Sequence, residues 1–318
     1  MIVFVHIPKT AGTSFSKALD KKFGAEHVAY DFGSAFSRTS RMVTDHLYGK
    51  HTPELWSMRR EMEAQGVKVL SGHFPAKKYS TLFPLTQFAT FLRDPVQRFY
   101  SEFCHRKRRD FDRFEGDFDE YCKDPRFRNV QSSYLAGVPW AALGFIGITE
   151  QYAESIEFFS RLFGAQIERL SLNKNSEKGR QLYDLTPEEL ELARAVNQKD
   201  INLYEAVKRY FNELRRVHGE NEHIVKGQFH RPSDNRISGY AFYDDPRFEL
   251  ADVELDILVD GETVAQCKSN EYRQRLHCFG LPKRGFVGFS AELSIPSGAS
   301  VEVVCSDTGQ RLAGSVYS

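Results

Sequence analysis

Short apolar runs and helical periods alternate along the first two-thirds of this 318-residue chain. Residues 2–7, IVFVHI, read as a strand, and residues 14–23 follow with the spacing of an amphipathic helix. Residues 53–65 read as a helix with a proline at its start, and 67–70 as a buried strand. Residues 87–92 predict another strand, followed by a helix over about 95–108. A short strand at 145–148 precedes a strongly periodic helix over 150–163, and two more helices are expected at 187–196 and 201–217. Strands alternating with helices predict an α/β class with a mainly parallel sheet flanked by helices.

The rhythm changes after His218. The stretch GENEHIVKGQFHRPSDN is polar and rich in turn residues, which predicts a linker. Beyond it the pattern alternates with period two. VELDILVDGETVAQCKS carries Asp260-Gly261 between two alternating runs, a hairpin signal, because Asp-Gly accepts the positive φ angles of a tight turn. The remaining segments continue this way and predict a small all-β sandwich. The expected organisation is 1–220 as the α/β domain, 221–234 as a linker and 235–318 as a β-sandwich accessory module.

Composition adds little to this picture but excludes some classes. Lys+Arg and Asp+Glu both number 43, so the chain lacks the basic excess of a wholesale nucleic-acid binder. From Asn235 onward there are 8 basic and 12 acidic residues, leaving the first part 35 and 31; that faintly basic body suits an anionic ligand. Five widely spaced cysteines without a CxxC argue against a metal or disulfide framework and fit a reducing cytoplasm. The apolar start is too short for a signal peptide or membrane span. No membrane span and no nucleic-acid partner are expected, and no metal.

Candidate chemistry sits where strands end. After the first strand comes Pro8-Lys9-Thr10-Ala11-Gly12-Thr13-Ser14 and then a helix. Helix N-termini offer unpaired N–H groups to anions. Lys9 adds a charge, Thr10, Thr13 and Ser14 add hydroxyls, and Gly12 permits close backbone approach. Equally, Thr13 or Ser14 could simply cap the helix. The ATP-type loop GxxxxGK[ST] does not fit, because the lysine precedes the glycine and no acidic residue follows the strand at 67–70. A second cluster, FATFLRDPVQRFYSEF, ends a strand at Leu92 and exposes Arg93 at its C-terminal edge. Asp94 is placed as a helix N-cap, Arg93 and Arg98 could grip phosphate, and Ser101 lies eight residues after Arg93. His73 follows the buried strand in VKVLSGHF and should emerge at the same sheet edge.

HIPKTAGTSF resembles the 5′-phosphosulfate loop of sulfotransferases that use 3′-phosphoadenosine 5′-phosphosulfate (PAPS), and LRDPVQRFYSEF resembles their 3′-phosphate motif. The similarity is greatest to the family of uronyl and heparan 2-O-sulfotransferases and their bacterial relatives. SGHF, GITEQYAESI, LNKN and NQKDINLYEAVKRYF match in order, so the resemblance covers about residues 1–215. It implies a P-loop-like fold in which Lys9, Thr10, Gly12, Thr13 and Ser14 hold the 5′-phosphosulfate and Arg93 and Ser101 the 3′-phosphate. It further implies Lys9 steadying the leaving phosphate, His73 as general base, and O-sulfation of a hydroxyl-bearing acceptor, a glycan or glycoconjugate, without a metal. His6 is expected to shape the loop, and His46 and His51 to lie at the surface or acceptor side. The basic run 105–109 is expected to be a solvated helix end, or else a patch receiving an acidic acceptor. FRNVQSSYLAGV reads as a helix offering Asn129, Gln131 and Tyr134 near the nucleotide or acceptor. The C-terminal module resembles sandwiches appended to bacterial carbohydrate-active transferases, with Tyr240, Phe242, Tyr243 and Tyr272 as candidate glycan-stacking aromatics or core residues. An atypical kinase or NTPase, and a degenerate transferase that only binds glycans, are the alternative functions.

Overall fold

A computed structural model describes residues 1–108, 113–168, 182–220 and 223–314. The chain divides into two compact units. The first comprises 1–82, 87–138 and 144–204; the second comprises 83–86, 139–143 and 205–318.

In chain order the first unit contains β1 (Ile2–Val5), α1 (Gly12–Phe23), β2 (Val28–Asp31), α2 (Arg41–Val43), α3 (Leu55–Ala64), β3 (Val69–Gly72) and β4 (Phe88–Leu92). It continues with α4 (Pro95–Lys107), α5 (Phe118–Lys123), α6 (Val130–Leu135), β5 (Phe145–Ile148), α7 (Tyr152–Leu162) and α8 (Pro187–Val196). The last helix, α9 (Gln198–Gly219), crosses the boundary between the units after Tyr204.

The five strands form one parallel sheet in the order β2-β3-β1-β4-β5. Strand β1 is central, paired with β3 on one side and β4 on the other. All four of its residues are buried, as expected for a strand covered on both faces. Phe15 of α1 packs among Phe4, Phe91 and Phe159, with ring centroids 4.7, 5.0 and 4.9 Å away. That single aromatic joins α1, β1, β4 and α7.

Two features of this sheet were not legible in the chain. Strand β2 is only four residues long and was absent from the hydrophobic reading. Strand β3 begins and ends two residues later than expected, running through Ser71 and Gly72. Small residues are needed there. A Cβ on Gly72 would stand 1.8 Å from the Asp31 carbonyl oxygen, and Ser71 Oγ is 3.1 Å from Ser16 Oγ of α1.

The second unit carries β6 (Val225–Ser233), β7 (Arg236–Tyr243), β8 (Glu254–Val259), β9 (Glu262–Lys268), β10 (Glu271–Tyr272), α10 (Gln274–Cys278), β11 (Phe286–Glu292), β12 (Val301–Cys305) and β13 (Ala313–Gly314). One sheet has the order β10-β11-β7-β6-β13 and the other β12-β8-β9. Val225, Ile237 and Phe289 of the first share a buried core with Leu255, Ile257 and Val303 of the second, the arrangement of two sheets packed face to face. The Asp260-Gly261 hairpin forms as expected, with φ of 51° and 88°. The expected linker does not exist as such: β6 occupies most of 221–234. Its polar end is a hairpin arm, and its buried start includes Lys226, whose ammonium pairs with Asp244 at 2.7 Å. Pairing with β7, rather than side-chain hydrophobicity, makes it a strand.

Candidate functional site

The order of strands creates the site. From β1 the chain crosses to β2 at one edge and returns to β3 beside β1, then crosses to β4 and β5 on the other side. Ligands of open α/β sheets bind beyond the C-terminal ends of the strands where this reversal occurs. The segments leaving β1, β3 and β4 carry Lys9, His73 and Arg93 respectively. They touch. Nδ1 of His73 lies 2.6 Å from the His6 carbonyl oxygen, and Nη1 of Arg93 donates to the Lys9 carbonyl oxygen at 3.3 Å.

The loop after β1 is curled by two non-glycine residues in the left-handed region, Lys9 (φ 69°) and Ala11 (φ 64°). Such backbone is costly for residues bearing a Cβ and persists where surrounding structure enforces it. Ala11 stands at the N-cap of α1 with no side-chain cap, and the first turn has no acidic residue. The capping role open to Thr13 and Ser14 is therefore not used: Thr13 is exposed and Ser14 buried, and neither closes the helix end. Thr10 corrects the expectation for its hydroxyl. It is fully buried and donates to the Ile7 carbonyl oxygen at 2.9 Å, fastening the loop from within. The half-buried Lys9 ammonium has no ion pair among the described residues. Burial pushes its pKa down; nearby Glu102 opposes this, while Arg93 and Arg108 reinforce it.

Gly12 is required by His6. A Cβ at Gly12 would lie 2.0 Å from His6 Cδ2 and 2.3 Å from Nε2. His6 is 7% exposed, near Phe4, Phe32 and His73, with its Nδ1 buried and unpartnered. Burial, then the neighbouring His73 and Arg38, push its pKa down to about 3, so it is neutral. It shapes the loop, as anticipated.

His73 is partly buried, keeps one side open to solvent and has a defined tautomer. A carbonyl oxygen only accepts, so the bond to His6 requires the proton on Nδ1 and leaves Nε2 with a lone pair. Nε2 has no partner among the described residues. Burial lowers the pKa of His73; the His6 carbonyl and Glu102 oppose this, and Arg38 adds to it. A neutral imidazole with a free acceptor nitrogen can take a proton at neutral pH.

Arg93 is clamped through its backbone. Its N–H donates to Gln131 Oε1 and its carbonyl accepts from Gln131 Nε2, each at 2.9 Å. Gln131 is fully buried and its own N–H donates to Asp200 Oδ2 at 3.0 Å. Asp200 Oδ1 also accepts from Ser132 N and Oγ, at 2.7 and 2.6 Å. Asp94 caps α4 by accepting from Gln97 N at 2.9 Å, while its own N–H donates to Glu150 Oε1 at 2.9 Å. Glu150 Oε2 accepts from Tyr204 at 2.9 Å. The motifs GITEQ and NQKDINLY thus act as a scaffold beneath the end of β4. The LNKN motif lies outside the described residues.

Tyr183 was missed by sequence reasoning. Its ring centroid is 5.9 Å from the Arg93 guanidinium carbon, and its hydroxyl donates to the buried Ser101 at 3.4 Å. A pair of bonds to Gln97 holds its backbone, at 2.7 and 3.1 Å. It sits between the two residues expected at a 3′-phosphate, but no motif flagged it. Arg98 does not join them. It is 1% exposed and donates to the Phe127 carbonyl oxygen at 3.3 Å, inside the helical layer. The run 105–108 is engaged locally: Arg106 pairs with Glu102 at 2.9 Å and Lys107 binds the carbonyls of Glu115 and Gly116. Arg109 is outside the described residues. His46 pairs with Glu61 at 2.7 Å. In the second unit Tyr240, Phe242 and Tyr243 are buried, leaving only Tyr272, 47% exposed, of the four aromatics considered for glycan stacking.

No metal-binding cluster occurs among the described residues, and no helix there is long and apolar enough to cross a membrane. Comparison with protein-family models, with curated proteins and with solved structures returned no match. What the geometry shows is a parallel α/β sheet whose β1, β3 and β4 ends bring Lys9, His73 and Arg93 together.

Proposed function

We propose that this protein is a sulfotransferase with a P-loop-like fold, moving the sulfuryl group of PAPS to a hydroxyl, that of a carbohydrate. The observation that carries this reading is the convergence of an uncapped, cationic loop, a histidine whose Nε2 has no partner among the described residues and a clamped arginine at the ends of three adjacent strands.

The donor supplies an activated sulfuryl group and a leaving phosphate. The N-terminal N–H groups of α1 and the Lys9 ammonium meet the negative charge that grows on that phosphate, which is where most of the rate effect should arise. Gly12 and Thr13 border that anion. Ser14 lies in the same turn, and Thr10 holds the loop's shape. Arg93 and Ser101, with Tyr183 between them, suit the 3′-phosphate. Nε2 of His73 takes the acceptor proton, a contribution of about 10²–10⁴ in rate. The half-buried ammonium, with no ion pair among the described residues, fits an anionic ligand, because an unpaired charge withdrawn from water is costly until its partner arrives.

The test is direct. Calorimetry should detect binding of the product nucleotide, 3′-phosphoadenosine 5′-phosphate, without added metal, and labelled PAPS should transfer its sulfur to a glycan panel. Magnesium-dependent ATP binding that ignores the 3′-phosphate would move the assignment to a kinase or NTPase. Nucleotide-free glycan binding without turnover would move it to a binding protein.

A further inference from the structure

One face of the five-stranded sheet in the second unit packs into the sandwich core through Ile237, Ala241 and Phe289. Alternation along a strand sends the residues between these to the opposite face. There the register aligns His230 of β6, Ser238 of β7 and Ser290 of β11 in one row across the sheet. His230 is exposed and Ser290 half-buried.

The row ends in a charged pair. Ser290 Oγ donates to Glu271 Oε1 at 2.5 Å, and Glu271 Oε2 accepts from Arg273 Nη2 at 2.7 Å. The same nitrogen donates to Ser238 Oγ at 3.1 Å and to the Phe289 carbonyl oxygen at 3.0 Å. The guanidinium is thus fixed through Nη2, while Nη1 has no partner among the described residues. Glycine in β11 makes room for it: a Cβ on Gly288 would stand 2.5 Å from Arg273 Nε and 2.6 Å from its Cγ.

Phe286 lies two residues before Gly288 on the same face, and Tyr272 of β10 is its partner in the register. Both are exposed, at 49% and 47%, with ring centroids 5.1 Å apart and planes tilted by 46°. The Tyr272 hydroxyl shares a hydrogen bond of 3.1 Å with His277 Nδ1. Phe286 is presented by three successive residues of positive φ, Lys283, Arg284 and Gly285. That turn is pinned, because the Lys283 ammonium pairs with Asp252 and donates to the Ser269 carbonyl oxygen at 2.9 Å.

Two aromatic rings beside a line of donors and acceptors suit a ligand that is apolar on its face and hydroxylated at its rim. A sugar ring has that form: its faces carry C–H bonds, and each hydroxyl both donates and accepts. Charge separates this ligand from the other one that aromatic surfaces hold by stacking. A single nucleic-acid strand needs a cationic groove as well as aromatics. Here Glu271 offsets the charge of Arg273, and the chain from Asn235 onward carries 8 basic against 12 acidic residues.

We propose that this sheet face, from Tyr272 and Phe286 through Arg273 and Glu271 to His230, is a binding site for an uncharged glycan chain, one sugar ring seated on the aromatics and its hydroxyls bonded to the polar row. All of these residues belong to the second unit, whereas Lys9, His73 and Arg93 belong to the first, so the inference does not rest on the transfer reading.

The experiment is calorimetry on the full chain with cellohexaose, maltohexaose and laminarihexaose, set against a heparin hexasaccharide and a short oligothymidine. At least one uncharged hexasaccharide should bind. Tyr272→Ala and Phe286→Ala should each weaken that binding roughly threefold to tenfold, the range of an aromatic contact, and the double variant should abolish it. Both positions are exposed, so unfolding midpoints and affinity for 3′-phosphoadenosine 5′-phosphate should match wild type. No binding of any uncharged hexasaccharide, tighter binding of the heparin fragment or the oligothymidine, or wild-type glycan affinity in the double variant would each overturn the proposal. Glycan binding lost with these substitutions in a protein that fails to bind the nucleotide would support this site and defeat only the transfer reading.

Discussion

Replacing Gly12 by alanine should damage both stability and function through one contact. The new Cβ would stand 2.0 Å from His6 Cδ2, whereas carbon atoms pack at about 3.5–4.0 Å. The imidazole would therefore have to retreat by about 1.5 Å or more. It has little freedom to do so, because Phe4 lies 5.7 Å away, His73 4.5 Å and Phe32 6.4 Å between ring centroids. Overpacking of this kind costs about 1–3 kcal/mol. His6 also carries the carbonyl that orients His73, so a shift of its backbone would disturb the base. The measurement is a double-mutant cycle by urea denaturation, with Gly12→Ala, His6→Ala and the double variant. His6→Ala alone opens a cavity and is destabilising, but it removes the clash. The double variant should be no less stable than His6→Ala, giving a favourable coupling of about 1–3 kcal/mol. In parallel, Gly12→Ala should lower transfer more than its nucleotide affinity falls. Strict additivity in the cycle would refute the claim that His6 is the reason for glycine at this position.

Three further outcomes are expected. His73→Ala should abolish turnover while retaining nucleotide binding, whereas Arg93→Ala should weaken nucleotide binding by about 1.5–3 kcal/mol per charged hydrogen bond lost; a full rate in His73→Ala would end its assignment as base. Gln131→Leu leaves the Arg93 N–H and carbonyl unpaired in a buried setting, at about 1–3 kcal/mol each, so a lower denaturation midpoint and weaker nucleotide binding should appear together, and an unchanged midpoint would count against the clamp. His6 has its pKa lowered from 6.5 to about 3, so the unfolded chain binds its proton first. Its contribution is therefore complete above pH 6.5 and is lost as pH falls toward 3, at about 1.4 kcal/mol per pH unit. His73, also lowered, adds in the same direction. Unfolding midpoints measured from pH 7 to pH 4 should show this slope, reduced in His6→Gln; an identical slope in that variant would contradict the assignment.

Periodicity and turn chemistry determined most of the elements: the helix at Pro187–Val196, the strand Phe145–Ile148, the hairpin at Asp260-Gly261 and the α/β alternation. These depend on local spacing and turn chemistry, which the chain carries in order. The candidate loop, His73 and Arg93 were also legible, because each directly follows a short apolar run. Tertiary structure decided what these residues do together. The strand order brings the ends of β1, β3 and β4 side by side, and no local pattern encodes which strands pair. It turned Thr10 and Arg98 inward, since facing carbonyls at Ile7 and Phe127 were available to their donors. It made a strand of the polar stretch after Ile224 by pairing it with β7, and it drew Gln131, Glu150, Tyr183 and Asp200 into the support of the site. Hydrogen bonds between residues 38 to 86 positions apart have no signature along a sequence, because the partner that satisfies each group is chosen only when the sheet closes.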